Sequence, residues 1–473
     1  MFLTLHRTYS KLYTVLVALA IHTNSISVGM SQGFSAVLIP QLQLPNSFIR
    51  VDSQDASWIA SLGVISTPGG ALVSGFMAET LGRKTTVQIT ALPFLLGCLL
   101  MALSSNKLWL YIGRFITGFA IGMGSTCYVY LAEISQPAER GMLASLGPVF
   151  VSFGVLLVYL FGYILDWHLV SVACAAIAAF SLIIIYFLPE TPPWLAHKKK
   201  FEKAHRTLLT LRGSKESADK EMELIMQSIN NKTNLTFLEY LSQLRQPGVW
   251  KPFIILILFF ICQEGSGMYI IVYYATSIFN EIGSVFESSV ESIIIGGVRL
   301  VTSAIGSICI QHFGRRPLAM GSGLGMGLSM GLAAWYEFEF GHLPPIDRPC
   351  PYVPLICVIL NVIASMLGML QLPWLMIGEL FPLPVRGLMS GTVSSLAYLF
   401  IFTIIKVYPD MMTSLHLSGM MILFSAVSIT TVLFVFLYLP ETQGKSLLDI
   451  ENSFKKKTDS NEDVLPEVIK SSP

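Results

Sequence analysis

Two ten-residue stretches, AEISQPAERG at 132–141 and GELFPLPVRG at 378–387, place Glu second, Arg ninth and Gly tenth, each just after a long apolar run. A Gly–Arg–basic triplet precedes each one (GRK at 82–84, GRR at 314–316), and Pro–Glu–Thr follows (189–191 and 440–442). Pro137 in the first stretch, and Pro382 with Pro384 in the second, stop a helix, so the Glu and Arg of each element belong to different helices. Carboxylates and guanidinia so placed make ion pairs between helices, a chemistry of holding. Catalysis would need a nucleophile with its base, or a cluster of ligands. The eight histidines are scattered, and the seven cysteines (Cys98, Cys127, Cys174, Cys262, Cys309, Cys350, Cys357) show no paired short spacing. Neither an enzyme nor a metal or cofactor site is expected. The cysteines read as free thiols among helices, with Cys350 in an outer loop.

The elements that position these charges are set by composition. Of 473 residues, 53% are hydrophobic and only 12% charged, with net charge +1. A soluble chain carries roughly twice that charged fraction, so most of this surface meets lipid, and charge gives no argument for nucleic acid. A bilayer core of ~30 Å needs about 20 apolar helical residues. Twelve candidate spans follow: 11–31, 57–79, 85–104, 108–134, 141–163, 168–188, 251–275, 288–312, 317–337, 352–378, 387–408 and 416–439. The alternative for the first is a signal peptide around LYTVLVALA. The polar patch His22–Thr23–Asn24–Ser25 after it suits a broken membrane helix better.

Lys and Arg gather after the even-numbered spans, and the stretch 197–251 holds 11 of them against 6 Asp/Glu. These segments fall on one side only for an even span count, which places both termini and the loop 189–250 in the cytoplasm. The opposite loops, 40–56 and 338–351, are poor in Lys and Arg. FEKAHRTLLTLRG and ADKEMELIMQSI carry apolar residues at helical spacing, so the loop is expected to hold short amphipathic helices. The sequons at Asn231 and Asn234 lie there and are expected to stay unglycosylated. The tail after Leu447 reads as disordered.

The motifs occur in the same order twice, with offsets of 232, 246 and 251 residues. The chain is thus read as an all-α membrane protein of two six-helix pseudo-repeats: 1–188, a helical cytoplasmic loop 189–250, a second bundle 251–440 and a tail 441–473. Parallel halves enclosing a substrate site at their interface are the major facilitator arrangement.

The residues resemble the sugar porters of the major facilitator superfamily over roughly 15–450. The likeness rests on ETLGRK, GRFITG, YLAE…RG, PETPPWL, QEGSGMYIIVYYATSIF, HFGRRP, LPWLMIGELFP and PETQGKSL, eight motifs in order. SWIASLGVISTPGGALVSGFMAETLGRK looks most like insect facilitated trehalose transporters and their glucose-carrying relatives. In this reading Glu79, Arg83, Arg114, Glu133 and Arg140 of the first half, with Arg315, Arg316, Glu379 and Arg386 of the second, form a cytoplasmic salt-bridge network that gates the inner side. One exposed bridge is worth at most ~1 kcal/mol, but a network biases a two-state equilibrium.

The resemblance also implies a sugar site. Gln263 and Glu264 would hydrogen-bond hydroxyls, with GSG at 265–267 loosening the helix. Tyr273 and Tyr274 would cover the site, and Trp374 would carry the sugar's apolar face. Against the family, Pro148 stands for a Gln, Tyr269 and Ala397 for Asn, and Arg299 for an amide. Glu264 and Arg299, strong charges inside the second half, are expected to approach each other or share a water. Proton-coupled relatives face the Arg114 position with an acid in span one. Here that span offers only His22, Asn24 and Gln32. The expected activity is facilitated, uniport transport of trehalose or a hexose such as glucose at the plasma membrane, by a monomer. The alternatives are a proton symporter using Glu264 and a non-transporting sugar sensor.

Overall fold

The computed structural model describes residues 2–45, 47–230, 246–283, 286–344, 347–382, 385–445 and 454. Pro384, both sequons and the tail segment read as disordered lie outside these, apart from Phe454. Eleven described helices are long and apolar enough to cross a membrane. The last, Arg386–Tyr438, holds two passes. Its 53 residues would reach about 80 Å, over twice an apolar bilayer core, and His416 interrupts it with non-helical φ 55°, ψ 177°. Twelve passes result, as the sequence predicts.

In order, spans one to six are Ser10–Leu42, Ser53–Thr80, Arg83–Ala102, Lys107–Ile134, Glu139–Ile164 and Trp167–Tyr186. Span seven starts as Pro247–Gly265 and resumes as Met268–Tyr273. Eight is Ser288–His312 and nine Arg315–Phe340. Ten is split into Val353–Leu367 and Leu372–Leu380. Eleven and twelve share the last helix.

Span one is not broken at its polar patch. The helix runs unbroken from Phe2 to Leu42 because the polar side chains find partners inside the bundle. His22 Nε2 lies 2.9 Å from the Leu143 carbonyl, Thr23 meets Ser181, and Asn24 donates to the Val87 carbonyl. Capping starts others: Asp52 and Asp55 form a reciprocal capping box on span two, and Asn106 caps span four.

Spans two and four approach backbone to backbone. A Cβ at Gly70 would lie 1.9 Å from the Phe119 carbonyl oxygen, one at Gly122 1.9 Å from that of Thr67, and one at Gly118 2.5 Å from that of Gly63. Only glycine permits such contact, and lipid-bathed helices gain their association from it. Spans one and five meet alike at Gly29 and Gly154. The two halves touch chiefly through span five against span eight and span two against span eleven.

Three helices, Pro192–His197, Phe201–Arg212 and Lys215–Asn230, pack under the first half. Ala204, Leu208 and Leu211 form the buried stripe of the second one. Arg212 anchors it by donating to the Ile134 carbonyl (2.8 Å) and to Glu221. The seven cysteines are all free, Cys350 among them as an exposed thiol.

Candidate functional site

Each half builds a charged cluster at the end that carries the loop helices. In the first, Arg83 Nε donates to Glu133 at 3.0 Å and Arg83 Nη1 to the Ala78 carbonyl. Glu190 of the first Pro–Glu–Thr accepts the backbone N–H groups of Lys84 and Thr191. In the second, Arg315 Nη2 donates to Glu379 at 2.9 Å, and Arg315 Nη1 to Gln443 and the Ile310 carbonyl. Glu441 accepts four backbone N–H groups, those of Arg315, Arg316, Thr442 and Gln443. Burial alone would raise its carboxyl, but these donors hold it below its ordinary range. Glu441 thereby caps the start of span nine, where the helix dipole favours an anion.

Five members of the expected network use their side chains outside these two ion pairs. Arg114 lies near the far end of span four, 19 residues or about 28 Å of helix from Glu133. It is fully buried and donates to the Ile59 and Ser31 carbonyls (both 2.9 Å) and to Ser35 Oγ (2.7 Å). His22 and Asn24 are engaged two turns further down span one and do not face it. Glu79 and Arg140 are exposed, with no ion pair among the described residues; only the backbone carbonyl of Glu79 is used, by Trp194 Nε1. Arg386 turns back onto the Phe381 carbonyl at 3.0 and 3.1 Å, because Arg315 and Thr442 already occupy Glu379. Arg316 uses its side chain on the Phe436 carbonyl. Both ion pairs lie within one half, so they brace neighbouring helices of the same bundle.

Bonds between halves gather toward the other end. Ser57 of span two donates to the Lys406 carbonyl (2.8 Å), Lys406 Nζ returns to Ser57 Oγ (2.9 Å), and Gln54 donates to Asp410. The Lys406 ammonium also sits 4.2 Å from the Trp58 ring centre. Nearer the centre, Tyr159 Oη of span five donates to the Val272 carbonyl at 2.8 Å.

The centre is where two broken spans meet. Gly267, at φ 80°, ends the first piece of span seven, and the close Phe424 ring leaves no room for a side chain there. The GSG sequence thus breaks the helix as its composition suggests. Span ten breaks between Leu367 and Leu372, and Gln263 Nε2 donates to the Leu370 carbonyl freed by that break (2.9 Å). Gln263 Oε1 and both Glu264 oxygens are buried without a hydrogen-bonding partner among the described residues. Trp374 is half-buried between Phe260 (5.0 Å, edge-on) and Tyr398 (5.2 Å). Tyr273 and Tyr274 are buried, the latter stacked on Tyr408 at 4.3 Å.

Glu264 and Arg299 do not form the expected ion pair. Arg299 is buried, and its Nε and Nη1 have no partner. Glu264 stands on the first piece of span seven, Tyr269 and Tyr273 on the second, and Arg299 on span eight.

A profile described as "Sugar (and other) transporter" matches residues 16–454. This chain belongs to that family. It is 30% identical over 439 residues to the facilitated trehalose transporter Tret1 of Drosophila yakuba, covering 92% of this chain and 51% of the relative. The chain thus spans about half the length of such relatives. The Tret1-2 homolog of Drosophila sechellia (30% identical) and Tret1 of Bombyx mori (31%) are covered over 90% and 86% of their lengths, each by 92% of this chain. The proton:xylose symporter XylE bound to 6-bromo-6-deoxy-D-glucose superimposes with TM-score 0.77 at 20% identity, covering 94% of this chain and all of that one. An inward-open form of XylE, from E. coli, also gives 0.77 at 20% identity, over 93% and 100%. The fold of this family member is therefore that of the major facilitators.

Several working residues escape the motif reading. Glu190 and Glu441 belong to a recognised repeat, and their recurrence with the Gly–Arg–basic turn in each half is the one signal that links them to it. Tyr159, Ser31, Ser35 and Lys406 carry no local signal; they act through partners more than 75 residues away.

Proposed function

We propose that this chain carries a sugar, trehalose or a hexose such as glucose, across the plasma membrane by alternating access, as a monomeric uniporter with both termini and the charged clusters in the cytoplasm. The observation that carries the reading is the junction of the two broken spans. An amide oxygen of Gln263, the Glu264 carboxylate and two guanidinium nitrogens of Arg299 are buried and without partners among the described residues, and Trp374 stands half-buried on span ten. Unspent donors and acceptors next to an aromatic face suit an uncharged polyol. The name of the Tret1 relatives supports trehalose.

Uniport is favoured by Arg114, whose three bonds all go to neutral oxygens. Among the described residues no carboxylate pairs with it to load and release a proton. The Arg83–Glu133 and Arg315–Glu379 pairs act as stiffeners that let each half rock as one body. Uptake of labelled trehalose and glucose, with and without a proton uncoupler, tests the whole reading. The sugar should equilibrate without accumulating, and Gln263→Ala or Trp374→Ala should raise KM. Accumulation that an uncoupler abolishes would overturn it.

Proton symport is the second reading, favoured by the buried, unpartnered Glu264 carboxylate. It predicts that Glu264→Gln keeps exchange but loses accumulation. In both readings Glu264 and Arg299 act separately, so the losses from Glu264→Gln and Arg299→Asn should add. Rescue of either by the other would restore the ion pair.

A further inference from the structure

Arg114 raises a question that its hydrogen bonds leave open. Three neutral oxygens satisfy its donors, yet its full positive charge remains inside a six-helix bundle with no surface exposure. No Asp or Glu lies within ion-pair distance of it among the described residues. Its neighbours around the adjoining cavity are serines, cysteines, phenylalanines and a methionine, with no carboxylate among them. A buried, uncompensated charge is among the costliest features a fold can hold.

Beside the guanidinium is a small internal cavity lined by Ser27, Ser31, Cys98, Arg114, Ser171 and Cys174, with Phe34, Phe94 and Met101 closing it. It belongs to spans one, three, four and six and stands apart from the centre between the halves. Its space is about that of one water-sized particle. Ser27 Oγ and Ser31 Oγ are more than nine-tenths buried and have no partner among the described residues. Hydroxyls and thiols around a guanidinium form a ring of donors with no anionic acceptor.

We infer that this cavity is a binding site for one small monovalent anion, a halide such as chloride, which supplies the counter-charge of Arg114. The anion would take its charge partner from the guanidinium and hydrogen bonds from Ser27 and Ser31, with the thiols of Cys98 and Cys174 as weaker donors. The inference concerns the first half alone and does not depend on which sugar crosses the centre.

The test is thermal unfolding of the purified full-length protein in sodium chloride, sodium bromide and sodium gluconate at one ionic strength. Tm should rise by about 3 °C or more with chloride or bromide, saturably, over gluconate. The Ser27→Ala/Ser31→Ala variant should lose at least half of that rise while unfolding in gluconate as the wild type does. Crystals grown in bromide should show an anomalous peak beside Arg114. Equal Tm in all three salts, an undiminished rise in the double variant, or bromide bound only elsewhere would each overturn the inference. Should the double variant fail to fold, Ser27→Ala alone carries the same comparison.

Discussion

The two charged clusters are copies in sequence and unequal in bonding. Arg83–Glu133 and Arg315–Glu379 have nearly the same length, 3.0 and 2.9 Å, and side chains that are 17%/18% and 13%/22% exposed. Exposure does not separate them. The difference lies in what surrounds each pair. In the second half Thr442 Oγ1 donates to Glu379, and Glu441 gathers four backbone N–H groups. In the first, Thr191 Oγ1 and Glu133 Oε2, the equivalent atoms, are both buried without partners, and Glu190 gathers two N–H groups. The carboxylates of the motif are fully engaged in one copy and half-engaged in the other, although Arg315 Nε and Arg316 Nε in the second copy have no partner among the described residues.

The largest test is removal of the Pro–Glu–Thr carboxylates. Glu441→Ala should cost about 2–3 kcal/mol in thermal unfolding of the purified protein, and Glu190→Ala about 1 kcal/mol, in line with the number of backbone donors each leaves unpaired. Equal losses would erase the comparison. pH separates the copies through the same residue. The folded-state carboxyl of Glu441 lies below its ordinary 4.5, so its contribution is fully present above that value and is lost as pH falls toward the depressed one. A stability profile through this acid window should flatten in Glu441→Ala.

Next in size are the ion pairs. Glu379→Gln should cost about 1.5 kcal/mol and Glu133→Gln about 0.5 kcal/mol, because the first also weakens the Thr442 bond and both pairs are partly screened. The smallest effect is the most discriminating. Thr442→Val should cost about 1 kcal/mol, whereas Thr191→Val, which removes a hydroxyl that bonds to nothing, should be neutral or stabilising. A clear loss at Thr191 would show that the first copy closes in another state of the protein.

These contrasts mark what the sequence can and cannot carry. Twelve passes, the break at Gly267 and the helices of the loop were legible, because apolar length, a GSG run and 3.6-residue spacing are local signals. Arg83 with Glu133, and Arg315 with Glu379, were legible as groups, since the repeat fixed their ends of the bundle. Which guanidinium takes which carboxylate was not. Arg386 loses Glu379 to Arg315 and Thr442, which stand 64 and 63 positions from that carboxylate. Arg114 was misplaced because the motif that contains it says nothing of depth. Glu264 and Arg299 were expected to meet on the cost of burying charge. How far apart two charges on neighbouring spans end up depends on how the helices pack, which that argument does not contain.

The glycine contacts between spans two and four have a mechanical consequence. With carbonyl oxygens occupying the places where Cβ atoms would stand, sliding either helix by a single residue drives a side chain into the opposing main chain. That direction of travel is closed. The remaining degrees of freedom are rotation of an entire half and flexure at the interrupted helices, seven and ten, which carry Gln263, Glu264 and Trp374. The residues without side chains thus confine movement to the places where the polar ones wait.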